Sequence, residues 1–210
     1  MTIILDFDDV LFDNAVGLKQ ALAKVFKKHK ADFWGIYSKI RTAKGGYSLK
    51  KHFVLLKRKN RTIDIEGIKE DTGKLFLNTR QFLFPDVLDF LKTFKKHTLI
   101  LLSWGEKKFQ EKKIYGLEQE FTSLFDRIIA GPTEKAKVFK KLLKLYKSRP
   151  VVFIDNDIQE LESIKSGFKD IVLIRLERSA SRGLSFEKGY LEAVNLKEVE
   201  KLLKSAKIHD

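Results

Sequence analysis

Short apolar runs recur along the chain, and each stops at polar residues. They are Thr2–Leu5, Thr98–Leu102, Val151–Ile154, Ile171–Ile174 and a weaker run, Arg127–Ala130. Their apolar side chains are consecutive rather than alternating, which is typical of strands that are buried on both faces of a parallel sheet. We therefore predict that these runs are the strands of one parallel sheet.

The segments between these runs have helical periodicity. Pro85 stands just before one of them, where proline often marks the start of a helix. The apolar sets are Val87-Leu88-Leu91-Phe94, Phe139-Leu142-Leu143-Tyr146 and Ile158-Leu161-Ile164-Phe168. Strands that alternate with helices predict an α/β fold with a doubly wound parallel sheet. Residues 178–190 are predicted to be a loop, and Asn195 is predicted to cap a last helix.

Residues 15–81 interrupt this alternation, because they contain helical patterns and no convincing strand. The first pattern is the face formed by Leu18, Leu22, Val25 and Phe26, and the others cover about 33–42, 48–59 and 64–78. Gly45 and Gly46 separate the second from the third. The chain is therefore predicted to divide into an α/β core, 1–14 and 82–210, and a small helical domain, 15–81.

Composition excludes several classes of protein. The 210 residues include no cysteine, so disulfides and thiolate metal sites are excluded. No apolar run is long enough to cross a bilayer, and the acidic Asp6-Phe7-Asp8-Asp9 follows the first run too closely for a signal peptide. We expect a soluble, cytoplasmic protein that does not interact with membranes.

The formal net charge is +14, and 33 of the 42 basic residues are lysines. Such a charge can attract nucleic acid or anionic substrates. Arginine, however, is the usual residue for bidentate recognition of phosphates and bases. The charge is therefore interpreted first as a solvated, lysine-rich surface, and a functional anion-attracting field is the alternative.

Asp6 and Asp8 follow the first predicted strand directly. Ligands bind at the carboxyl ends of strands in open parallel sheets, so both carboxylates are expected at a site. An Asp-X-Asp pair alone is a weak signal. The buried strand before it and Val10-Leu11-Phe12 after it strengthen the interpretation.

Three further motifs follow in order. Ser103 ends the second apolar run, Lys135 stands near the start of a later helix, and Asp155 follows another strand. With Asp6-X-Asp8, this series resembles the haloacid dehalogenase superfamily over essentially the whole chain. Lys137 is the alternative for the lysine. The fourth motif is Asp155-Asn156-Asp157 rather than the common Asp-Asp, which leaves open whether Asn156 or Asp157 is its second group, and Asp157 is also expected to start a helix.

The resemblance implies a chemistry for these residues. Asp6 would be the nucleophile that forms an aspartyl phosphate, and Asp8 would be the general acid and base. Ser103 and Lys135 would hold the phosphoryl oxygens. Mg²⁺ would bind the Asp6 side chain, the Asp8 backbone carbonyl and Asp155, which relieves the repulsion among the carboxylates.

Two features depart from the family pattern or extend it. Trp104-Gly105 stands where Asn-Gly is common. Backbone amides there can still bind phosphate, but a side-chain contact is lost or replaced. The helical insertion resembles the cap of many family members, whose loop between the second and third helices often faces the site. Here that loop is Arg41–Ser48. Arg41, Lys44 and Gly45 are candidates for substrate binding, and a plain helix connection is the alternative.

We therefore expect a Mg²⁺-dependent phosphatase that acts on a small phosphorylated metabolite. A phosphomutase shares the same motifs, and a nucleic-acid-directed phosphatase or binding module is suggested only by the charge. Dehalogenases in this superfamily lack the second aspartate, so the presence of Asp8 argues against that activity. The substrate and the oligomeric state are left open.

Overall fold

The computed structural model describes residues 1–41, 46–178 and 189–205. Six parallel strands form one sheet in the order β3-β2-β1-β4-β5-β6. They are β1 (Thr2–Leu5), β2 (Thr98–Trp104), β3 (Arg127–Gly131), β4 (Val151–Asp155), β5 (Ile171–Leu176) and β6 (Leu191–Ala193). The predicted α/β class and the five predicted strands are confirmed. The sixth strand was not predicted, because three residues with a central glutamate carry almost no pattern.

Ten α-helices accompany the sheet. They are α1 (Lys19–Lys28), α2 (Phe33–Arg41), α3 (Leu49–Lys59), α4 (Ile65–Leu77), α5 (Val87–Thr93), α6 (Lys107–Tyr115), α7 (Gln119–Thr122), α8 (Lys135–Leu145), α9 (Ile158–Gly167) and α10 (Leu196–Ser205) within the described residues. A π-helix, Asn14–Leu18, runs directly into α1. In the part of the chain described here, none of the helices has the length and apolar character needed to cross a membrane.

β1 lies at the centre of the sheet, and its residues are buried on both faces. Leu5 is paired with Leu101 of β2 on one side and with Ile154 of β4 on the other. The next residue, Asp6, donates its N–H to the carbonyl of Ile154 over 2.9 Å. The central pairing therefore fixes where the chain after β1 emerges from the carboxyl edge of the sheet.

Two backbone hydrogen bonds join the chain just before the helical segment 14–77 to the chain just after it. Asp13 donates its N–H to the carbonyl of Phe82 over 2.7 Å, and Phe84 donates to that of Leu11 over 3.1 Å. Helices α1 to α4 pack against one another around the rings of Phe26, Phe33 and His52. Helices α2 to α4 lie within one residue of their expected ranges, and α1 contains most of the predicted apolar face. The division into two domains remains a prediction.

Candidate active site

Three of the predicted site residues are in direct contact at the carboxyl edge of the sheet. Lys135, the first residue of α8, lies with its Nζ 2.7 Å from Oδ1 of Asp6 and 2.6 Å from Oδ2 of Asp155. All three side chains are almost completely buried. Lys137, the alternative lysine, is exposed and pairs with Glu134 at the surface. The structure therefore places Lys135, and not Lys137, at the candidate site.

This cluster contains more negative than positive charge. Burial raises the pKa of Asp6 well above its usual range, and the neighbouring carboxylates of Asp155 and Asp8 raise it further against the opposing effect of Lys135. Burial also raises the pKa of Asp155. Burial disfavours the charge of Lys135, but the two carboxylates outweigh it and raise the pKa of the ammonium. The site therefore favours an additional positive charge.

Ser103 lies near the end of β2 and is 3% exposed. Its Oγ has no hydrogen-bond partner among the described residues. A buried hydroxyl without a partner is unfavourable unless a ligand supplies one. This hydroxyl is therefore a candidate hydrogen-bond donor to a bound group.

The carboxylate of Asp8 has two partners that the sequence motifs did not indicate. Lys113 of α6 places its Nζ 2.6 Å from Oδ2 of Asp8. Gln110, one turn earlier, donates from Nε2 to the same oxygen over 2.9 Å and to the backbone carbonyl of Trp104 over 2.6 Å. Helix α6 was not predicted, because these inward-facing polar residues remove the apolar stripe that identifies a helix.

Trp104 is the last residue of β2, and Gly105 follows it in the turn before α6. The Trp104 ring is partly exposed, and its indole N–H donates to the carbonyl of Pro132 over 3.2 Å. Gly105 donates its N–H to the carbonyl of Gly131 over 3.0 Å. The expected use of the Gly105 amide as a phosphate donor is therefore not supported in this arrangement, because the amide already has an acceptor.

A pocket of about 380 Å³ opens beside this edge of the sheet. Its lining includes Asp8, Trp104 and Gly105 from the α/β core and Arg41 and Gly46 from the helical segment. Gly46 lies against Trp104 and Gly105, where an added Cβ would be 3.4 Å from each. The segment around the predicted loop thus reaches the site. Lys44 and Gly45 lie outside the described residues.

The remaining acidic residues of the motifs have structural contacts. Asp9 accepts the N–H groups of Asn14 and Ala15. Asp157 caps α9 by accepting the N–H of Gln159 over 2.8 Å, which confirms the predicted helix start. Asp157 also lines the pocket.

The sequence model of the haloacid dehalogenase-like hydrolases matches residues 1–167. The chain belongs to this family. No curated protein sequence matches it. The resemblance inferred from four short motifs is therefore confirmed at the level of the family.

Solved structures of the family share the fold at low identity. A protein described as a haloacid dehalogenase-like hydrolase from Burkholderia xenovorans LB400 is 15% identical, with a TM-score of 0.74 and coverage of 96% of this chain and 95% of that one. The HAD-hydrolase YfnB from Bacillus subtilis is 13% identical, with a TM-score of 0.63 and coverage of 96% and 97%. A protein described as a β-phosphoglucomutase from Thermotoga maritima is 19% identical, with a TM-score of 0.64 and coverage of 98% and 100%. Haloacid dehalogenases also match.

The donor set of the site is compatible with a small, hard cation. Asp6 and Asp155 supply carboxylate oxygens, and the position of Lys135 between them marks where positive charge is favourable. Among the described residues, no three side chains of His, Asp or Glu form a metal-binding group. Mg²⁺ commonly uses only one or two carboxylates, together with water and phosphate oxygens, and so fits such a site. Since the Asp8 side chain faces Lys113, Asp8 could contribute only its backbone carbonyl.

Proposed function

We propose that this haloacid dehalogenase-like hydrolase is a Mg²⁺-dependent phosphatase that acts on a small phosphorylated metabolite. The observation that carries the proposal is the buried contact of Lys135 with both Asp6 and Asp155. It brings a nucleophile, a cation and a second carboxylate together at the edge where open parallel sheets bind ligands. The description of YfnB as bound to magnesium is in keeping with this proposal.

In the first step, an Asp6 carboxylate oxygen forms a bond to phosphorus while the bond from phosphorus to the leaving oxygen breaks. Asp8, in its protonated form, gives its proton to that oxygen. In the second step, a water oxygen attacks phosphorus and loses a proton to Asp8. The Asp6–phosphorus bond breaks, which releases phosphate and restores both aspartates.

Ser103 and Lys135 would stabilise the charge that develops on the phosphoryl oxygens. The buried Ser103 hydroxyl lacks a partner within the described chain, and the Lys135 ammonium is already held at the nucleophile. Preorganised donors of this kind are effective because they need no reorganisation during the reaction. Bound Mg²⁺ would supply charge neutralisation at Asp6, Asp155 and the phosphoryl group.

Asp8 is the residue that favours phosphoryl transfer over dehalogenation. A halide leaves as an anion and needs no proton, whereas an alkoxide leaving group does. Asp8 lines the pocket beside Asp6, where it could supply that proton. A phosphomutase would use the same residues, and the match to a protein described as a β-phosphoglucomutase keeps this alternative open.

The proposal is tested by incubating the purified protein with a panel of phosphorylated metabolites and with 2-haloacids. Phosphate release and halide release are measured in parallel. We expect phosphate release that EDTA abolishes and added Mg²⁺ restores. Halide release without phosphate release, or full phosphatase activity in metal-free buffer, would contradict the proposal. Transfer of phosphate between hydroxyls of one sugar, without net release, would identify the mutase instead.

A further inference from the structure

Helix α6 carries four lysines, and one of them differs from the rest. Lys107, Lys108 and Lys112 are exposed, whereas Lys113 is 1% exposed. Its Nζ lies 5.1 to 5.9 Å from the ring centres of Phe7, Phe12 and Phe109. Its charged partner in this aromatic surrounding is the carboxylate of Asp8. The ammonium is therefore held in a defined position and not merely covered.

Stability alone does not explain a lysine at this position. Taking an ammonium and a carboxylate out of water is costly, and apolar side chains of similar size often give equal or greater stability. The Lys113 side chain is almost completely buried among aromatic rings, surroundings that oppose a charge. What the ion pair does provide is a fixed geometry for Asp8.

Gln110 adds a second restraint from the same face of α6. Its amide links the Asp8 carboxylate to the Trp104 backbone carbonyl. Gly105, in the turn before α6, leaves room for the Gln110 side chain, because a Cβ on Gly105 would lie 2.6 Å from Nε2 of Gln110. Gly105 also has a φ of +147°, which is readily adopted only by glycine. Asp8 is thus tied both to α6 and to the end of β2.

We propose that Lys113 and Gln110 are positioning residues that hold the Asp8 carboxyl group toward the pocket for proton transfer. This inference depends on the proposed phosphatase function. Asp8, Gln110 and Lys113 all line the pocket in which the leaving group would lie. An ammonium and an amide N–H can donate to a carboxyl carbonyl oxygen as well as to a carboxylate. The two residues therefore orient Asp8 in both protonation states of the cycle.

The test compares phosphate esters that differ in their need for a proton. The probes are p-nitrophenyl phosphate, whose leaving group departs as an anion, and phenyl phosphate, whose poorer leaving group benefits from protonation. The variant is Lys113→Met, the matched control is Lys108→Met on the exposed face of α6, and Gln110→Ala is a second, milder variant. Circular dichroism and thermal unfolding verify that each variant is folded.

We expect Lys113→Met to lower kcat/KM for phenyl phosphate by about ten- to a hundredfold, part of the usual contribution of general acid catalysis. Its kcat/KM for p-nitrophenyl phosphate should stay within about threefold of wild type, since this parameter reports the first chemical step. Gln110→Ala should also lower kcat/KM for phenyl phosphate more than kcat/KM for p-nitrophenyl phosphate, but by a smaller factor. Lys108→Met should resemble wild type with both probes.

A double-mutant cycle with Asp8→Asn tests whether Lys113 acts through Asp8. If Lys113 acts through Asp8, adding Lys113→Met to Asp8→Asn should cause no further loss with phenyl phosphate. Equal losses with both probes, or a full additional loss in the Asp8→Asn background, would overturn the positioning role while leaving the phosphatase proposal intact. Absence of wild-type activity toward every phosphate ester would overturn both.

Discussion

Asp6 is the residue whose local surroundings depend most on the rest of the fold. It follows a four-residue strand, yet its carboxylate is held by a lysine from α8 and faces a second aspartate from β4. Each of these groups comes from a separate part of the chain. The short motifs in the sequence therefore belong to one group of side chains that comes together only in the folded protein.

Replacing Asp6 with asparagine should abolish turnover and preserve the fold. The amide is nearly isosteric but is not a nucleophile, so kcat should fall by on the order of a thousandfold or more. Stability should change little, because Lys135 retains Asp155 as its counter-ion. Phosphate release and thermal unfolding measure the two effects.

Asp9→Asn is the matched control for this variant. Asp9 has a positive φ of 60°, which asparagine tolerates, and it accepts backbone N–H groups rather than facing Lys135. Its activity should remain close to wild type. If the Asp6→Asn protein hydrolysed the substrate at the wild-type rate, Asp6 would not be the nucleophile.

Arg41 is exposed at the pocket, where it could meet a second polar or anionic group of the substrate. Losing one charge-assisted contact costs roughly 1.5–3 kcal/mol, or about ten- to a hundredfold in kcat/KM. Arg41→Ala should therefore impair the best metabolite from a substrate screen. It should have little effect on p-nitrophenyl phosphate, which offers this side chain nothing to bind.

Lys39→Ala provides the comparison, since Lys39 is an exposed cation in the same turn of α2 and does not line the pocket. It should leave the kinetics of both substrates unchanged. Equal effects of Arg41→Ala on the two substrates would mean that Arg41 has only a structural role.

At the scale of elements, the sequence predicted the segments whose pattern reflects burial alone. Consecutive apolar residues identified β1, β2, β4 and β5, and amphipathic faces identified α1 to α4 and the helices α8 and α9. Helix α6 was missed because its inward face presents Gln110 and Lys113 to Asp8. Their partner is about a hundred residues away, so no local pattern could reveal them. For the same reason, the sequence indicated Asp8 but not the groups that hold it.

A buried histidine of α3, His52, should make the stability of the helical segment depend on pH. The Tyr47 hydroxyl and Nδ1 of His52 lie 2.9 Å apart and share a hydrogen bond. Burial raises the pKa of Tyr47, so its hydroxyl keeps its proton. Burial also lowers the pKa of His52 to about 4, against weaker effects of Asp32.

The unfolded protein therefore binds a proton at position 52 that the folded protein does not, between about pH 6.5 and pH 4. Stability from this group is present above pH 6.5 and is lost as the pH falls toward 4, by roughly 3 kcal/mol over the whole range. Denaturant unfolding should show a steeper loss for wild type than for His52→Gln, whose side chain does not titrate. Parallel pH profiles of the two proteins would contradict this account.

At the scale of the whole molecule, the charge of +14 is distributed mainly on lysines. Some of them form surface pairs, including Lys28 with Asp71, Lys69 with Glu66 and Lys74 with Glu70. Charges dispersed in this way support nonspecific attraction of anions but do not form a base-reading surface. We propose that the basic composition reflects a solvated surface and not a nucleic-acid partner.

We therefore expect no tight binding to nucleic acid at physiological salt. Fluorescence anisotropy with single- and double-stranded oligonucleotides should give dissociation constants weaker than about 1 μM at ~150 mM salt, as is usual for nonspecific contacts. Raising the salt should weaken the binding further. Sub-micromolar affinity that persists at this ionic strength would restore the nucleic-acid alternative.

The central position of β1 also determines when the site can form during synthesis. Residues 2–5 leave the ribosome before their partners, Thr98–Leu101 and Val151–Ile154. At about 5–20 residues per second, the second partner follows after on the order of ten seconds. Helices α1 to α4 contact one another within residues 14–77 and can associate before either partner strand has emerged. The nascent chain thus carries Asp6 beside an unpaired apolar segment, and Asp6 reaches its buried position only after β4 has been made.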